Sequence, residues 1–284
     1  MAININSIIQ EIDTLTPIPA TTNKIMEIAG DPDGALKDLA DVLQYDAELT
    51  ANLLKLCNST YYGLTVKVDS ARQAISMLGL DQVLEMVMIA NTSKNLLRAQ
   101  KGYDLQRGEL WKNSVATALL SKSIAEDKKD TDKFRVYTAS LIKDIGKVVI
   151  DTYVGNSIKK IQHLVAKKGY GFDQAEQAVL GIDHAKLGGI VAEKWNFSSK
   201  MIFMISNHHL NDTNARKDVE LCIVYLADTI ARMVGIGVGA DGLAYKFYED
   251  IFDKLGVSEE YIQHFMAEFQ MSLNKAERLL LSLN

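Results

Sequence analysis

The sequence predicts an all-α fold, and three observations carry this prediction. Apolar residues recur at the helical spacing i, i+3, i+4 and i+7 in most segments of the chain. Only three prolines are present, and aromatic residues, which favour strands, make up 7% of the 284 residues. A hydrophobic share of 48% and a charged share of 24% are ordinary for a globular protein, so the predicted helices have enough apolar surface to build a core.

The first hundred residues are predicted to form a unit of several helices. Thr16-Pro-Ile-Pro19 ends the first helix, because proline lacks a backbone donor and disfavours helix before it. Gly30 and an Asp-Pro-Asp-Gly turn at 31–34 end the second helix, and the polar segment 58–63 interrupts the pattern again. The segment 65–68 is predicted as a loop because it has no strand partner nearby. The predicted helices cover residues 3–15, 22–29, 36–43, 49–56, 70–78 and 81–97.

The second part of the chain begins after the segment 101–108, which is the clearest internal boundary. Gly146 is predicted to break the chain between an apolar helix end and a second apolar run at 148–150. The glycine-rich stretch 235–242 is predicted to terminate a long apolar helix, since it lacks the lysine and the preceding strand of a phosphate-binding loop. The predicted helices cover residues 110–125, 156–168, 172–180, 185–195, 199–207, 218–234, 248–255 and 258–283. We therefore expect three parts, residues 1–100, 101–235 and 236–284.

The formal net charge of −5 argues against nucleic acid as a general partner, because phosphate binding needs a basic surface. Four lysines of one predicted helix could still form a local phosphate-contacting patch. A solvated helix face explains the same residues equally well, and we favour that explanation. The four are Lys159, Lys160, Lys167 and Lys168.

The chain is predicted to be a cytoplasmic protein that does not cross a membrane. Its first ten residues lack the basic region of a secretory signal, and no uninterrupted apolar run reaches about 18 residues. The two cysteines, Cys57 and Cys222, lie in helical patterns without metal-ligand spacing, and a chain of this size does not need the one disulfide that they could form.

Five polar residues are candidates for a functional site, each on or beside an apolar helix face. His184 shares the core-facing side of its predicted helix with Leu187 and Val191, at i+3 and i+7. Singly, each candidate also has an ordinary structural explanation: a hydrogen-bonded core histidine, a helix cap, or a solvated ion pair between residues four apart. The candidates are Asp144, His184, His208, His209 and Asp228.

Taken in order along the chain, these residues resemble the layout of the HD metal-dependent phosphohydrolase superfamily. The resemblance is greatest to its HDOD branch, the HD-related output domain, and extends over residues 16–228. The motifs that carry it are Trp111-Lys-Asn-Ser114, Lys143-Asp-Ile-Gly-Lys147, Asp183-His-Ala-Lys-Leu-Gly-Gly189, His208-His209 and Ala227-Asp228. The entry motif Thr16-Pro-Ile-Pro19 and the segments 44–59 and 74–79 resemble further signatures of the same branch.

The resemblance also implies which residues would bind metal. Active members use a histidine from the first helix, a His-Asp pair and a distal aspartate. Here Asn113 and Lys143 stand at two of these positions, and only Asp144 and Asp228 remain, beside the accessory histidines. An amide is a weak ligand for a borderline metal, and an ammonium repels a cation. Whether Lys143 turns inward and replaces the charge of the metal, or outward into solvent, stays open at this point.

The function that the resemblance implies is a bacterial regulatory output module with a degenerate site. Such a module would be non-catalytic and would act through protein–protein contacts with signalling proteins in trans, of the receiver, kinase or cyclic-di-GMP-related classes. The alternative is a metal-dependent phosphohydrolase of the phosphodiesterase type, with a rearranged site built from the five candidate residues. The first function needs no cofactor, whereas the second implies a residual divalent metal such as iron, manganese or nickel.

Overall fold

The computed structural model of the protein describes residues 5–30, 39, 41–43, 46–58, 66–126, 128–242, 244–258, 260–263, 266 and 274. Regular structure in these residues is helical, and the single pairing of extended backbone among them is one antiparallel bridge between Gln100 and Leu105. The prediction of an all-α fold is confirmed.

The α-helices have the following bounds in chain order. They are α1 Ile5–Gln10, α2 Ala20–Gly30, α3 Ala47–Cys57, α4 Ala71–Leu78, α5 Leu80–Leu96, α6 Glu109–Glu126, α7 Lys133–Ile142, α8 Ile145–Lys168, α9 Phe172–Leu180, α10 His184–Lys194, α11 Ser199–Ser206, α12 Val219–Met233 and α13 Asp250–Leu255. Short 3-10 helices are formed by Glu11–Thr14, Lys101–Tyr103 and Ala215–Lys217. Most of these helices begin and end within two residues of their predicted bounds.

The chain forms two compact units. The larger consists of Met1–Thr16 and Asn95–Ala267, and the smaller of Pro17–Lys94 and Glu268–Asn284. In the smaller unit, α4 begins at the cap residue Ser70, whose side chain accepts a hydrogen bond from the backbone N–H of Gln73. Residues 66–68 form a loop, as predicted, whereas the predicted turn at 31–34 and half of the predicted helix 36–43, residues 36–38 and 40, lie outside the described residues.

The predicted break at Gly146 is wrong. Helix α7 ends at Ile142, α8 begins at Ile145 and continues to Lys168, and Gly146 lies in the first turn of α8. A methyl group on Gly146 would overlap the carbonyl oxygen of His184 and lie 2.8 Å from the backbone nitrogen of Gly188. The glycine is therefore required by the close approach of α8 and α10, and the chain breaks at Lys143 and Asp144, between α7 and α8.

The core of the larger unit is built around α6, α7 and α12, which pack against one another. Helix α8 packs against α9 and α10, and α10 packs against α11. Every residue of α12 from Glu220 to Arg232 is buried, and Trp111 of α6 and Tyr137 of α7 are also buried. Polar residues on the facing sides of these helices are thus brought together away from solvent.

Two further findings concern the membrane and the cysteines. Within the described ranges, no helix has both the length and the apolar character needed to span a bilayer. Cys57 and Cys222 are both buried free thiols, so neither is held in a disulfide.

Candidate functional site

The five candidate residues meet in one buried cluster of the larger unit. Asp144 precedes α8, His184 begins α10, His208 and His209 follow α11, and Asp228 lies in the middle of α12. The Nε2 atoms of His184 and His209 are 2.8 Å apart. The Oδ1 atom of Asp144 lies 3.5 Å from Nε2 of His184 and 3.8 Å from Nε2 of His208. Asp228 joins the cluster through Lys143.

Lys143 turns inward, which decides the question that the sequence leaves open. Its side chain is fully buried, and its Nζ atom donates to Oδ1 of Asn113 at 3.0 Å. The same Nζ atom lies 2.9 Å from Oδ1 of Asp228 and donates to Oδ2 of Asp144. The ammonium therefore bonds to all three other positions where the resemblance places primary metal ligands.

Asn113 is held from both ends of its amide. Its Oδ1 atom accepts from Lys143, and its Nδ2 atom donates to the carbonyl oxygen of Ile236 at 3.0 Å. Gly237, the residue after Ile236, has a φ of 57°. A Cβ atom on Gly237 would lie 2.8 Å from Cβ of Asn113. The glycine-rich stretch 235–242 thus follows the end of α12, as predicted, and also packs against the site.

Asp144 is a buried carboxylate between two lysines. Lys147, one turn along α8, places its Nζ atom 3.1 Å from Oδ1 of Asp144 and donates to Oδ2 of Asp241 at 2.8 Å. Burial alone would raise the pKa of Asp144, but the Lys143 and Lys147 cations outweigh burial and hold this pKa well below its usual range. Asp144 holds the N-cap position of α8, but its side chain accepts no bond from the backbone of that helix, so capping does not explain the buried carboxylate.

Asp228 pairs with Arg232 at the predicted spacing of four residues. Its Oδ2 atom lies 2.8 Å from a terminal guanidinium nitrogen of Arg232, and both side chains are buried, so the expectation of a solvated pair is wrong. The guanidinium centre lies 4.2 Å from the ring centroid of Tyr245. Burial alone would raise the pKa of Asp228, but Arg232 and Lys143 lower it.

The three histidines have different hydrogen-bond partners. Nδ1 of His184 lies 2.6 Å from Oε2 of Glu176. Burial alone would lower the pKa of His184, but the neighbouring Glu176 carboxylate favours the protonated ring and raises this pKa. Nδ1 of His208 lies 2.8 Å from the carbonyl oxygen of Ile205, and burial lowers the pKa of His208 to about 3. Burial also lowers the pKa of His209 well below its usual value.

Several members of the cluster were missed in the sequence analysis. Glu176 carried a usable signal, because it lies four residues after Phe172 and four before Leu180, both of them buried. Lys147 follows Asp144 by three residues, which places both at one end of α8. Asp241 and Tyr245, whose hydroxyl donates to Oδ2 of Asp241 at 2.7 Å, come from a loop with no periodic pattern, so only the fold places them here.

The cluster compensates its own buried charge. Lys143 and Lys147 contact Asp144, and each also contacts a second carboxylate, Asp228 and Asp241 respectively. Arg232 contacts Asp228 as well. Three cations therefore face three carboxylates, and the fourth carboxylate, Glu176, contacts His184. Pairing of this kind removes most of the penalty for burying charge.

The residues do not fit a metal ion at the primary position. The three histidines do offer nitrogen atoms within 4.8 Å of one another, which is a suitable donor type for iron, manganese or nickel. However, the ammonium of Lys143 already occupies the oxygen atoms of the primary positions, and a cation beside it would be repelled.

Comparisons with known proteins give one family and one fold. The sequence model of the HDOD domain matches residues 15–211. An uncharacterized protein of Treponema pallidum (strain Nichols) is 23% identical over 204 residues, which are 72% of this chain and 39% of that protein, so the chain spans well under half of this relative.

Solved structures resemble the chain over nearly its whole length. An HDOD domain protein of unknown function from Geobacter sulfurreducens has a TM-score of 0.69 at 23% identity and covers 97% of this chain and 99% of its own. A candidate signal transduction protein from Marinobacter aquaeolei VT8 has a TM-score of 0.73 at 20% identity and covers 95% and 60%. A candidate phosphohydrolase from Shewanella amazonensis SB2B has a TM-score of 0.67 at 20% identity and covers 96% and 97%. At these identities the likeness establishes a shared fold.

Proposed function

This chain belongs to the HDOD domain family, and we propose that it is a non-catalytic regulatory module that acts through contacts with other proteins. The observation that carries the proposal is the bonding of the Lys143 ammonium to Asn113, Asp144 and Asp228. A lysine in this place keeps both carboxylates ionised without a metal ion. The centre then stabilises the fold, and the Lys143 ammonium stands where a water-activating metal ion would bind.

The burial of the centre supports the same proposal. Lys143, Asp144 and Asp228 are 0%, 2% and 3% exposed. A catalytic metal site keeps an open coordination position that water and substrate can reach. Side chains so deeply buried and so fully paired are suited to holding helices together.

A surface beside the cluster is suited to a protein partner. Met233 and Phe247 are 57% and 55% exposed, and they line a cavity of about 330 Å³ together with Arg232 and Lys246. Apolar side chains next to the exposed Lys246 cation favour a partner segment that carries an apolar side chain and a carboxylate. Because Arg232 also pairs with Asp228, this surface, which we call the Phe247 surface, is connected to the cluster. We propose signalling proteins of the receiver, kinase or cyclic-di-GMP-related classes as partners.

The absence of catalysis is tested with purified protein. We expect no hydrolysis of bis(4-nitrophenyl) phosphate in the presence of Mn²⁺, Fe²⁺ or Ni²⁺. Metal-dependent turnover would refute the proposal if Asp144→Ala abolished it and the control variant Asp69→Ala left it unchanged. Asp69 lies on the surface of the other unit.

The contact function is tested by cross-linking a tagged chain to its partners in the source organism. We expect Phe247→Ser to reduce capture of a signalling protein severalfold. Phe203→Ser is the matched control, because Phe203 is also a partly exposed phenylalanine of the same unit but lies on α11. Equal capture by both variants would contradict the assignment of the surface, and capture of no signalling protein would contradict the contact function itself.

A further inference from the structure

One buried tyrosine holds the backbone of the Phe247 surface. Tyr225 lies in α12 and is 1% exposed. Its hydroxyl donates to the carbonyl oxygen of Lys246 at 2.9 Å and accepts from the backbone N–H of Tyr248, also at 2.9 Å. These two peptide groups lie on either side of Phe247. A single hydroxyl therefore fixes the chain both before and after this exposed residue.

The chemistry of a hydroxyl suits this position. A phenolic hydroxyl has one donor and can also accept, so it can bond to a carbonyl oxygen and to an N–H at the same time. Burial raises the pKa of Tyr225 above its usual value, so the hydroxyl keeps the proton that it donates to Lys246. Both bonds therefore persist at neutral pH.

The side chains beside this turn are packed, whereas Phe247 stays largely in water. The ring of Tyr248 lies beside that of Tyr225, with centroids 5.6 Å apart, and the guanidinium centre of Arg216 lies 3.7 Å from the centroid of the Tyr248 ring. Phe247 is 55% exposed, although its ring centroid is 5.4 Å from that of Phe252 in α13. The turn is thus fixed in a conformation that leaves an aromatic ring available for contact.

We propose that Tyr225 is a positioning residue of the Phe247 surface, which holds residues 246–248 so that Phe247 and Lys246 are presented together to a protein partner. This inference rests on the proposed contact function and deepens it. Ordering a mobile loop on binding costs conformational entropy, and a turn that is already fixed avoids this cost. Because Phe247 and Lys246 are adjacent, the partner needs its apolar side chain and its carboxylate on one short segment.

Hydrogen exchange of the full chain tests the positioning role without a partner. Tyr225→Phe removes the hydroxyl and keeps the ring, and the freed groups of the exposed Lys246 and the half-buried Tyr248 can bond to water, so the variant should fold. We expect the Tyr248 amide to exchange about tenfold faster, measured by NMR, while the amides of α12 keep their wild-type rates. A purely structural role would instead lower stability as a whole and speed exchange in α12 as well.

Capture of the signalling protein by cross-linking tests the consequence for binding. We expect Tyr225→Phe to reduce capture about three- to tenfold, in the same direction as Phe247→Ser. Thr92→Val is the control for both measurements. It removes another buried hydroxyl, which lies 2.8 Å from the carbonyl oxygen of Met88 in the other unit, and it should change neither Tyr248 exchange nor capture.

The possible failures are distinguishable. Wild-type exchange of the Tyr248 amide in Tyr225→Phe would overturn the inference, because the hydroxyl would then not hold the turn. Faster exchange with wild-type capture would overturn it too, but a loss of capture in Phe247→Ser would leave the Phe247 surface in place. Equal capture by the wild type, Tyr225→Phe and Phe247→Ser would contradict the surface itself and this inference with it.

Discussion

At the scale of residues, the stability of the cluster depends on how completely the Lys143 ammonium is paired. The ammonium of a lysine has three N–H donors, and Lys143 directs them to three acceptors, the oxygen atoms of Asn113, Asp144 and Asp228. No donor is left without a partner, and each carboxylate receives a second cation from Lys147 or Arg232. The arrangement is complete as a structural centre, which is why its removal should be costly.

Lys143→Met tests this directly. Methionine has a similar volume, so the change removes the charge and leaves two buried carboxylates short of a cation. We expect the free energy of unfolding to fall by about 3–5 kcal/mol, measured by urea denaturation. Adding Asp144→Asn to Lys143→Met should recover part of the loss, because it restores the charge balance.

The control for this prediction is Lys159→Ala, which removes an exposed lysine of α8 and should have little effect. A loss below about 1 kcal/mol for Lys143→Met would mean that the buried pairs contribute little to stability.

The positions of the site residues could be predicted from the sequence, but the direction of Lys143 could not. The order of motifs singles out Asn113 and Lys143, and the structure brings these two residues into contact. Adjacent residues such as Lys143 and Asp144 normally point to different sides of a helix, so an inward lysine was only one of two possibilities. Because α7 ends at Ile142 and α8 begins at Ile145, both side chains lie in a break between helices and can turn the same way.

At the scale of elements, the crossing of α8 and α10 positions Asp144 beside His184. Gly146 permits the crossing, since its Cα faces the backbone of His184 and Gly188. The prediction from sequence assigned this glycine to a chain break, because a glycine at a chain break and a glycine at a helix crossing have the same local sequence pattern. Only the packing partner distinguishes the break from the crossing, and that partner, His184, is 38 residues further along the chain.

Gly146→Ala should therefore destabilise the protein by about 3 kcal/mol, because the added methyl group meets backbone that cannot move aside. Gly155→Ala on the same helix is the matched control. Its methyl group would lie 3.3 Å from Cα of Gly102, and the gain in helix propensity of about 1 kcal/mol opposes this mild crowding. Urea denaturation that gives equal losses for both variants would contradict the role of the crossing.

The Arg135–Glu220 pair connects α7 to α12 and should make stability depend on pH. Nε and a terminal nitrogen of Arg135 donate to Glu220 at 2.9 Å and 2.7 Å. Burial alone would raise the pKa of Glu220, but the bond from Arg135 lowers it below 4.5. Because the folded-state pKa is lowered, the stabilisation is complete above about pH 4.5 and is lost as pH falls through the lowered pKa.

Glu220→Gln should consequently lower the free energy of unfolding by about 1–2 kcal/mol at pH 7. The expected loss is smaller than for a fully buried pair because Arg135 is partly exposed and solvent screens its charge. The difference from the wild type should shrink as pH falls below about 4.5 and disappear once the pH is below the lowered pKa of Glu220. Asp13→Asn, which removes the exposed pair with Lys194, is the control and should show no measurable change. A difference that does not shrink at all between pH 7 and pH 3 would rule out the ion pair as its cause.

At the scale of the whole molecule, the cluster is assembled from distant parts of one compact unit. Asn113 and Tyr245 stand 132 positions apart in the chain, and Asp241 and Tyr245 come from the stretch that the sequence assigned to a separate extension. The division into residues 1–100, 101–235 and 236–284 stays a prediction. Helical periodicity could identify most helices, but it carries no information about which loop packs over which helix, and the loop after α12 supplies part of the site.

The last prediction concerns metal removal and its reversal. If Lys143 replaces the metal, the wild-type chain should be purified without stoichiometric metal, and a chelator should leave its Tm unchanged. The double variant Asn113→His and Lys143→His restores nitrogen donors at both changed positions beside Asp144 and Asp228. We expect this variant to gain stoichiometric Mn²⁺ or Fe²⁺ and a Tm higher by about 5–10 °C when metal is present at 100 times its Kd.

Metal content is measured by mass spectrometry and Tm by scanning calorimetry. The control is the double variant with Asp144→Ala added, which should lose both the bound metal and the rise in Tm. The single variant Lys143→His separates the removal of the repelling ammonium from the return of the second imidazole, and it should bind metal more weakly than the double variant. A wild-type chain that holds metal and loses stability on chelation would contradict the lysine-for-metal replacement. In that case the three histidines, whose nitrogen atoms lie within 4.8 Å of one another, would be the place to look for the ion.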